Sequence, residues 1–129
     1  MAASLTIAID LSSTVPAYRQ IADAVRTLLV GGHMTAGGQL PTVRQLAVDL
    51  GVHHNTVAEA YRTLADEGWL ELTRRRGATV LDRATPRATP QAEQQYVARL
   101  RALLAEARAA GVSTDSLFAA VNGSKGSRP

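Results

Sequence analysis

Apolar residues fall at helical spacing in several separate stretches of this chain, with short strand-like runs between them. Tyr18, Ile21, Ala22, Val25, Leu28 and Leu29 share one helical face, which Gly31-Gly32 closes. Ahead of that helix, residues 5–10 (LTIAID) are a β-rich run ended by Ser12-Ser13-Thr14, with Pro16 at the helix entry, so a strand leading into a helix is predicted. Gly37-Gly38 marks a turn, and Gln39-Leu40 leaves room for only a very short strand. Thr42-Val43-Arg44-Gln45 has the form of a capping box, in which the Thr42 hydroxyl accepts from the Gln45 backbone and the Gln45 side chain returns the bond. Val43, Leu46, Ala47 and Leu50 then give about two helical turns before Gly51. Beyond Gly51-Val52-His53 a third helix carries Val57, Ala60, Tyr61 and Leu64 inward and stops at Gly68. Two short helices across a tight glycine turn are a helix-turn-helix pattern.

Residues 69–73 and 78–81 are strand-like and flank Arg74-Arg75-Arg76-Gly77, a hairpin with a basic tip, or wing. Next, RATP occurs twice within residues 83–90, a polar, proline-spaced segment that reads as a semi-stiff linker. Residues 91–110 are rich in strong helix formers, with Tyr96, Val97, Leu100, Leu103, Leu104 and Ala107 in a stripe. Gly111 ends that helix, and Ser113 can cap a last short one with Leu117, Phe118 and Val121 inward. The expected organisation is a winged helix-turn-helix over residues 1–82, a linker over 83–90, a helical tail over 91–121 and a disordered end over 122–129. The fold class is mainly α with a small β hairpin.

Composition narrows the classes. A chain of 129 residues suits one small domain with an appendage and leaves no room for a further small-molecule domain. No run of 18 apolar residues spans a membrane, and no basic segment leads an apolar one at the start. The absence of cysteine removes disulfides and thiolate metal sites and agrees with a reducing compartment, so the cytoplasm is expected. The net charge of +3 is less informative than it looks, because residues 1–81 hold seven arginines against seven carboxylates. A case for nucleic acid therefore rests on where charges sit.

In a helix-turn-helix the second helix enters the major groove, and its first residues meet base edges. Here those are His53, His54, Asn55 and Thr56, with Ala58 and Arg62 on the same outward face. A side-chain amide such as Asn55 can donate and accept together at adenine N6 and N7. The blander alternative is that Asn55 and Thr56 only cap or solvate the helix start. Arg44 is open to a surface salt bridge or a phosphate or base contact. Arg74, Arg75 and Arg76 repel one another unless an anion is present, and a narrow minor groove is one such anion; a solvated basic turn is the other reading. Adjacent His53 and His54 diverge by about 100° on a helix and the remaining histidine is His33, so no metal site is expected, and no other cofactor. Neither GxGxxG nor GxxxxGK[ST] occurs, and Ser, His and Asp fall only in cap and turn positions, so no enzyme is expected.

These segments resemble the GntR superfamily of transcription factors, and within it the short YtrA-like branch. IDLSSTVPAYRQIADAVR, GGQLPTVRQLAVDLGVHHNTVAEAYRTLADEGWLE and RRRGATV carry the resemblance, from Ile9 to about Val80. It implies a winged helix-turn-helix in which Arg44, the residues His53 to Thr56, and Gly77 lie where the family contacts DNA; Thr42, at the capping box, is a further DNA-binding candidate. His54 and Ala58 stand where many members have arginine, and Arg75 where many have a second wing glycine. The resulting expectation is a dimeric regulator, a repressor that reads a palindrome in double-stranded DNA, with the apolar stripe of the tail joining two copies as a homodimer. A winged helix that meets an acidic protein and an architectural protein of weak sequence preference are the rival readings.

Overall fold

The computed structural model describes residues 6–74 and 77–126. Its contacts divide the chain into two compact units, with the boundary between Ala84 and Thr85. In the first unit, α1 (Ala17–Val30) buries Ile21, Ala22, Val25 and Leu29 on one face, and Gly31 closes it. A two-residue strand β1 (Gln39–Leu40) leads to α2 (Val43–Leu50) and α3 (His54–Asp66). Strands β2 (Leu70–Thr73) and β3 (Gly77–Val80) complete a three-stranded antiparallel sheet in the order β1-β3-β2. Register places Leu40 opposite Ala78 and Leu70 opposite Val80, so the buried side chains meet the helices on one face.

The core lies where α1, α2, α3 and the sheet converge. Ile21, Val25, Val57, Ala60, Leu64 and Ala78 are completely inaccessible, and no charged or polar residue among those described is buried with them. Helix α3 packs against α1, α2 and β2, so its inward face is the centre of the domain. Tyr18, expected in this core, is half-buried and packs on its edge, since it lies on the first turn of α1 near the open end of the helix.

Residues 6–10 form no strand. The run of apolar residues there is real, since Ile7 and Ile9 pack against the core, but it pairs with no strand among the described residues. Gln20 takes the place of a ladder: its amide oxygen accepts from Asp10 N (2.7 Å), and its nitrogen donates to Asp10 O and Val15 O (2.9 Å each). Leu5 lies outside the described residues. At the other side of the core, Arg26 on α1 grips the Glu67 carboxylate through Nε and Nη2 (2.9 and 2.6 Å) and also meets Asp23 at 2.8 Å. That pair ties α1 to the end of α3.

The second unit is helical. Thr89 caps α4 (Pro90–Ala109) by accepting from Ala92 N, so Pro90 is the first helical residue and not the last of the linker, a position where its missing N–H costs nothing. Ser113 accepts from Ser116 N and starts α5 (Thr114–Gly126). This helix runs past Val121 to Gly126, into the segment expected to be disordered. Once a helix is nucleated each further residue adds a hydrogen bond, and no proline intervenes before Pro129. Helix α4 buries none of its residues, and among its stripe Leu104 and Ala107 are half-buried while Tyr96, Val97, Leu100 and Leu103 are exposed.

Two outcomes follow from this packing. Leu64→Ala should lower unfolding free energy by about 2 to 5 kcal/mol, since the side chain is fully enclosed and leaves a cavity; denaturant titration showing less than about 0.5 kcal/mol would mean the inward face of α3 is misassigned. The Arg26 guanidinium holds the Glu67 carboxyl below its ordinary value of 4.5, against partial desolvation. A depressed folded value means the stabilisation is complete above the unfolded pKa and disappears as pH falls through the folded one. Acidification from neutrality should therefore cost wild type more than Glu67→Gln, by no more than about 1 kcal/mol for a pair this exposed. Parallel acid profiles of the two proteins would remove the pair from the account.

Candidate nucleic-acid interface

The start of α2 is fixed by the capping box: Thr42 Oγ1 accepts from Gln45 N at 3.1 Å, and Gln45 Oε1 accepts from Thr42 N at 2.9 Å. The helix ends at Gly51, whose left-handed backbone (φ 71°) turns the chain at low cost because it has no Cβ. His53 follows in an extended conformation as the N-cap of α3, and its ring Nδ1 accepts from Asn55 N at 3.0 Å. An accepting Nδ1 puts the proton of the neutral ring on Nε2, which remains as its donor. His54 stacks on this ring with centroids 4.3 Å apart. The cap is thus His53 rather than Asn55 or Thr56. The exposed Asn55 amide makes no side-chain hydrogen bond among the described residues, while Thr56 is half-buried.

A cleft of about 460 Å³ opens between the first turn of α2, the outer face of α3 and the wing. Its walls include Thr42, Arg44, His54, Arg62, Arg74 and Gly77, together with Ala58, Leu72 and Thr73. Among the described residues three arginines line it and no carboxylate does. The ion pairs among the described residues belong to Arg26, so Arg44, Arg62 and Arg74 have no carboxylate partner there. Like charges left together around a concavity favour an anion between them.

Two contacts hold the walls of the cleft together. The Tyr61 hydroxyl, on the third helix, donates to the Pro41 carbonyl at 2.8 Å in a buried setting. Burial pushes that hydroxyl above its usual pKa, which keeps it a donor. Gly77 presses on the same stretch from the wing: a Cβ there would stand 3.2 Å from Thr42 Cα and 3.4 Å from Pro41 O, and its φ is +77°. The backbone just before α2 is therefore held between the recognition helix and the hairpin.

Of the residues singled out in the sequence, the cleft gathers Thr42, Arg44, His54, Arg62, Arg74 and Gly77. His53, Asn55 and Thr56 are at the start of α3 and do not line it. Arg75 and Arg76 lie outside the described residues. The second role of Tyr61 was hidden, because its position in a helical apolar stripe accounts for it fully as a core residue. Leu72 and Thr73 were read only as strand.

Short helices on either side of a glycine turn, backed by a three-stranded wing, define a winged helix-turn-helix DNA-binding protein. The family model for bacterial regulatory proteins of the gntR family matches residues 17–80. The chain is 34% identical over 111 residues to the HTH-type transcriptional repressor YtrA of Bacillus subtilis, covering 86% of this chain and 85% of that protein. An HTH-type transcriptional regulator of Mycobacterium tuberculosis is 39% identical over 97 residues, covering 74% of this chain and 79% of that one. Among solved structures, YtrA from Sulfolobus acidocaldarius, a GntR-family transcription factor, superposes with a TM-score of 0.58 at 37% identity over 74% of this chain and 94% of that one. The chain belongs to the GntR family and is a transcriptional regulator with a DNA-binding helix-turn-helix, similar to its short YtrA-type members.

Tyr61→Phe should lower stability by about 1 to 3 kcal/mol, because the Pro41 carbonyl loses a buried partner while the ring stays. Equal unfolding curves for the two proteins would show that the hydroxyl is not needed to join α3 to the start of α2.

Proposed function

We propose that this regulator binds a palindromic operator in double-stranded DNA as a homodimer and represses transcription there. The observation that carries the DNA-facing part is the cleft in which Arg44, Arg62 and Arg74 stand together with no carboxylate among the described lining residues. In this reading Arg44 and Arg62 meet phosphates on either side of the major groove, and Arg74, with Arg75 and Arg76, meets the neighbouring backbone or minor groove. His53, His54, Asn55 and Thr56 face base edges, Asn55 reading adenine with its unspent amide and the His53 Nε2–H donating to a guanine or phosphate oxygen. Repression is supported by the name of the Bacillus subtilis relative, a transcriptional repressor.

Dimerisation is supported by the second unit. Tyr96, Val97, Leu100 and Leu103 on α4, and Phe118 and Val121 on α5, are all between 42% and 68% exposed, while Leu104, Ala107 and Leu117 are half-buried. Exposed apolar stripes of this kind mark interfaces. Two half-site readers joined in one particle gain roughly 10² to 10⁴ in binding over one.

Selection from random DNA, followed by binding at several salt concentrations, tests the reading. Asn55→Ala should lose about 1 to 3 kcal/mol on the selected site and relax preference at one position, whereas Arg62→Ala should weaken all sequences alike and reduce the salt slope by about one. A chain ending at Ala84 should sediment as a monomer and bind a palindrome no better than a single arm. Full-length protein that stays monomeric at micromolar concentration, or a selection that returns no preferred sequence, would defeat it.

A further inference from the structure

We propose that Arg83 is a positioning residue that fixes where the tether to the tail begins, and thereby sets the half-site spacing that the dimer accepts. This rests on the dimeric reading above. Hydrogen bonding between strands continues past β3, since Leu81 N donates to Trp69 O at 2.9 Å. Asp82 is exposed, and so is every residue from Ala84 to Thr89, but Arg83 between them is half-buried. Its Nε donates to the Glu67 carbonyl at 2.9 Å, and its guanidinium lies 4.3 Å from the centre of the Trp69 ring.

The receiving surface is built for a flat cation. Glu67 ends α3, where the last carbonyls carry partial negative charge. Its carboxylate is held by Arg26 and by the Trp69 side chain, so both walls against which Arg83 rests are fixed. Gly68 lies beneath, with the nearest Arg83 atom 3.7 Å from where a Cβ would stand, and its φ of +89° suits glycine. A lysine cannot lie flat on the indole while donating from the middle of its stem.

The clamp has a geometric consequence. From Arg83 to the cap of α4 at Thr89, residues 84–88 are the free tether; without the clamp it lengthens to residues 82–88. Two extended residues add about 6 to 7 Å. In a dimer with two tethers that is about 13 Å, or about four base pairs of duplex at 3.4 Å each. Because Glu67 is the end of the recognition helix itself, the tether starts from a point indexed to the reading head.

The test is binding of full-length protein to a series of duplexes carrying two identical half-sites at increasing separation, with a single-arm duplex as reference. Wild type should favour one spacing by about tenfold or more over one four base pairs away, and Arg83→Ala should flatten this to within about threefold. Arg83→Lys should flatten it too while keeping the wild-type salt slope, which separates the tether from loss of a charge near DNA. Single-arm affinity and dimer sedimentation should stay at wild-type values in both variants. A spacing profile in Arg83→Ala that matches wild type overturns the proposal, as does a loss that is equal on single-arm and paired sites. A wild type that does not dimerise, or does not prefer paired arms, overturns the dimeric reading and this one together.

Discussion

The hydrogen bond from the Tyr61 hydroxyl to the Pro41 carbonyl is the joint on which the reading head depends. A helix-turn-helix must present its second helix at a set angle, but a glycine turn alone fixes only the path of the chain between the two helices. The Tyr61 bond crosses from the middle of α3 to the residue before the cap of α2, closing a loop of twenty residues that contains the whole turn. Gly77 then brings the wing against the same backbone with no side chain in between. Recognition helix, preceding helix and hairpin thus share one contact point, and the cleft between them inherits its shape from it.

That arrangement explains how a formally neutral segment can face an acidic polymer. Residues 1–81 balance seven arginines with seven carboxylates, but none of those carboxylates is among the described residues that line the cleft. Arg26 draws in Asp23 and Glu67 on the side of α1, and Asp10 is engaged by Ser12 near the start of the chain. Arg44, Arg62 and Arg74 collect around the cleft. On the proposed reading, the local field around the cleft rather than the net charge would set orientation on DNA.

The three-helix pattern, the capping box and the hairpin were legible in the sequence, since each follows from local chemistry: apolar spacing, a hydroxyl three residues before a glutamine, and glycine where the chain must turn. What could not be read were the long-range polar contacts. Gln20 clamps Asp10 across ten residues and replaces the strand expected there, and no spacing rule announces such a pair. The cap on α3 was expected to involve Asn55 or Thr56 if anything did, but His53 supplies it through a ring nitrogen, outside the usual Ser, Thr, Asp and Asn set. Arg83 looked like the first linker residue because its sequence neighbours are linker-like; only its stacking on Trp69 shows that it is held.

The two units also divide the work of stability differently. Around α3 the apolar residues are enclosed within one chain, so the winged helix carries its own hydrophobic driving force. Helix α4 has twenty residues and buries none of them, and α5 keeps Phe118 and Val121 exposed. In proteins most helical stability comes from an apolar face packed on something else rather than from propensity. On the dimeric reading, packing between two tails would supply the apolar burial that these helices lack within one chain. Assembly would then depend on protomer concentration in a way that the fold of the reading head does not.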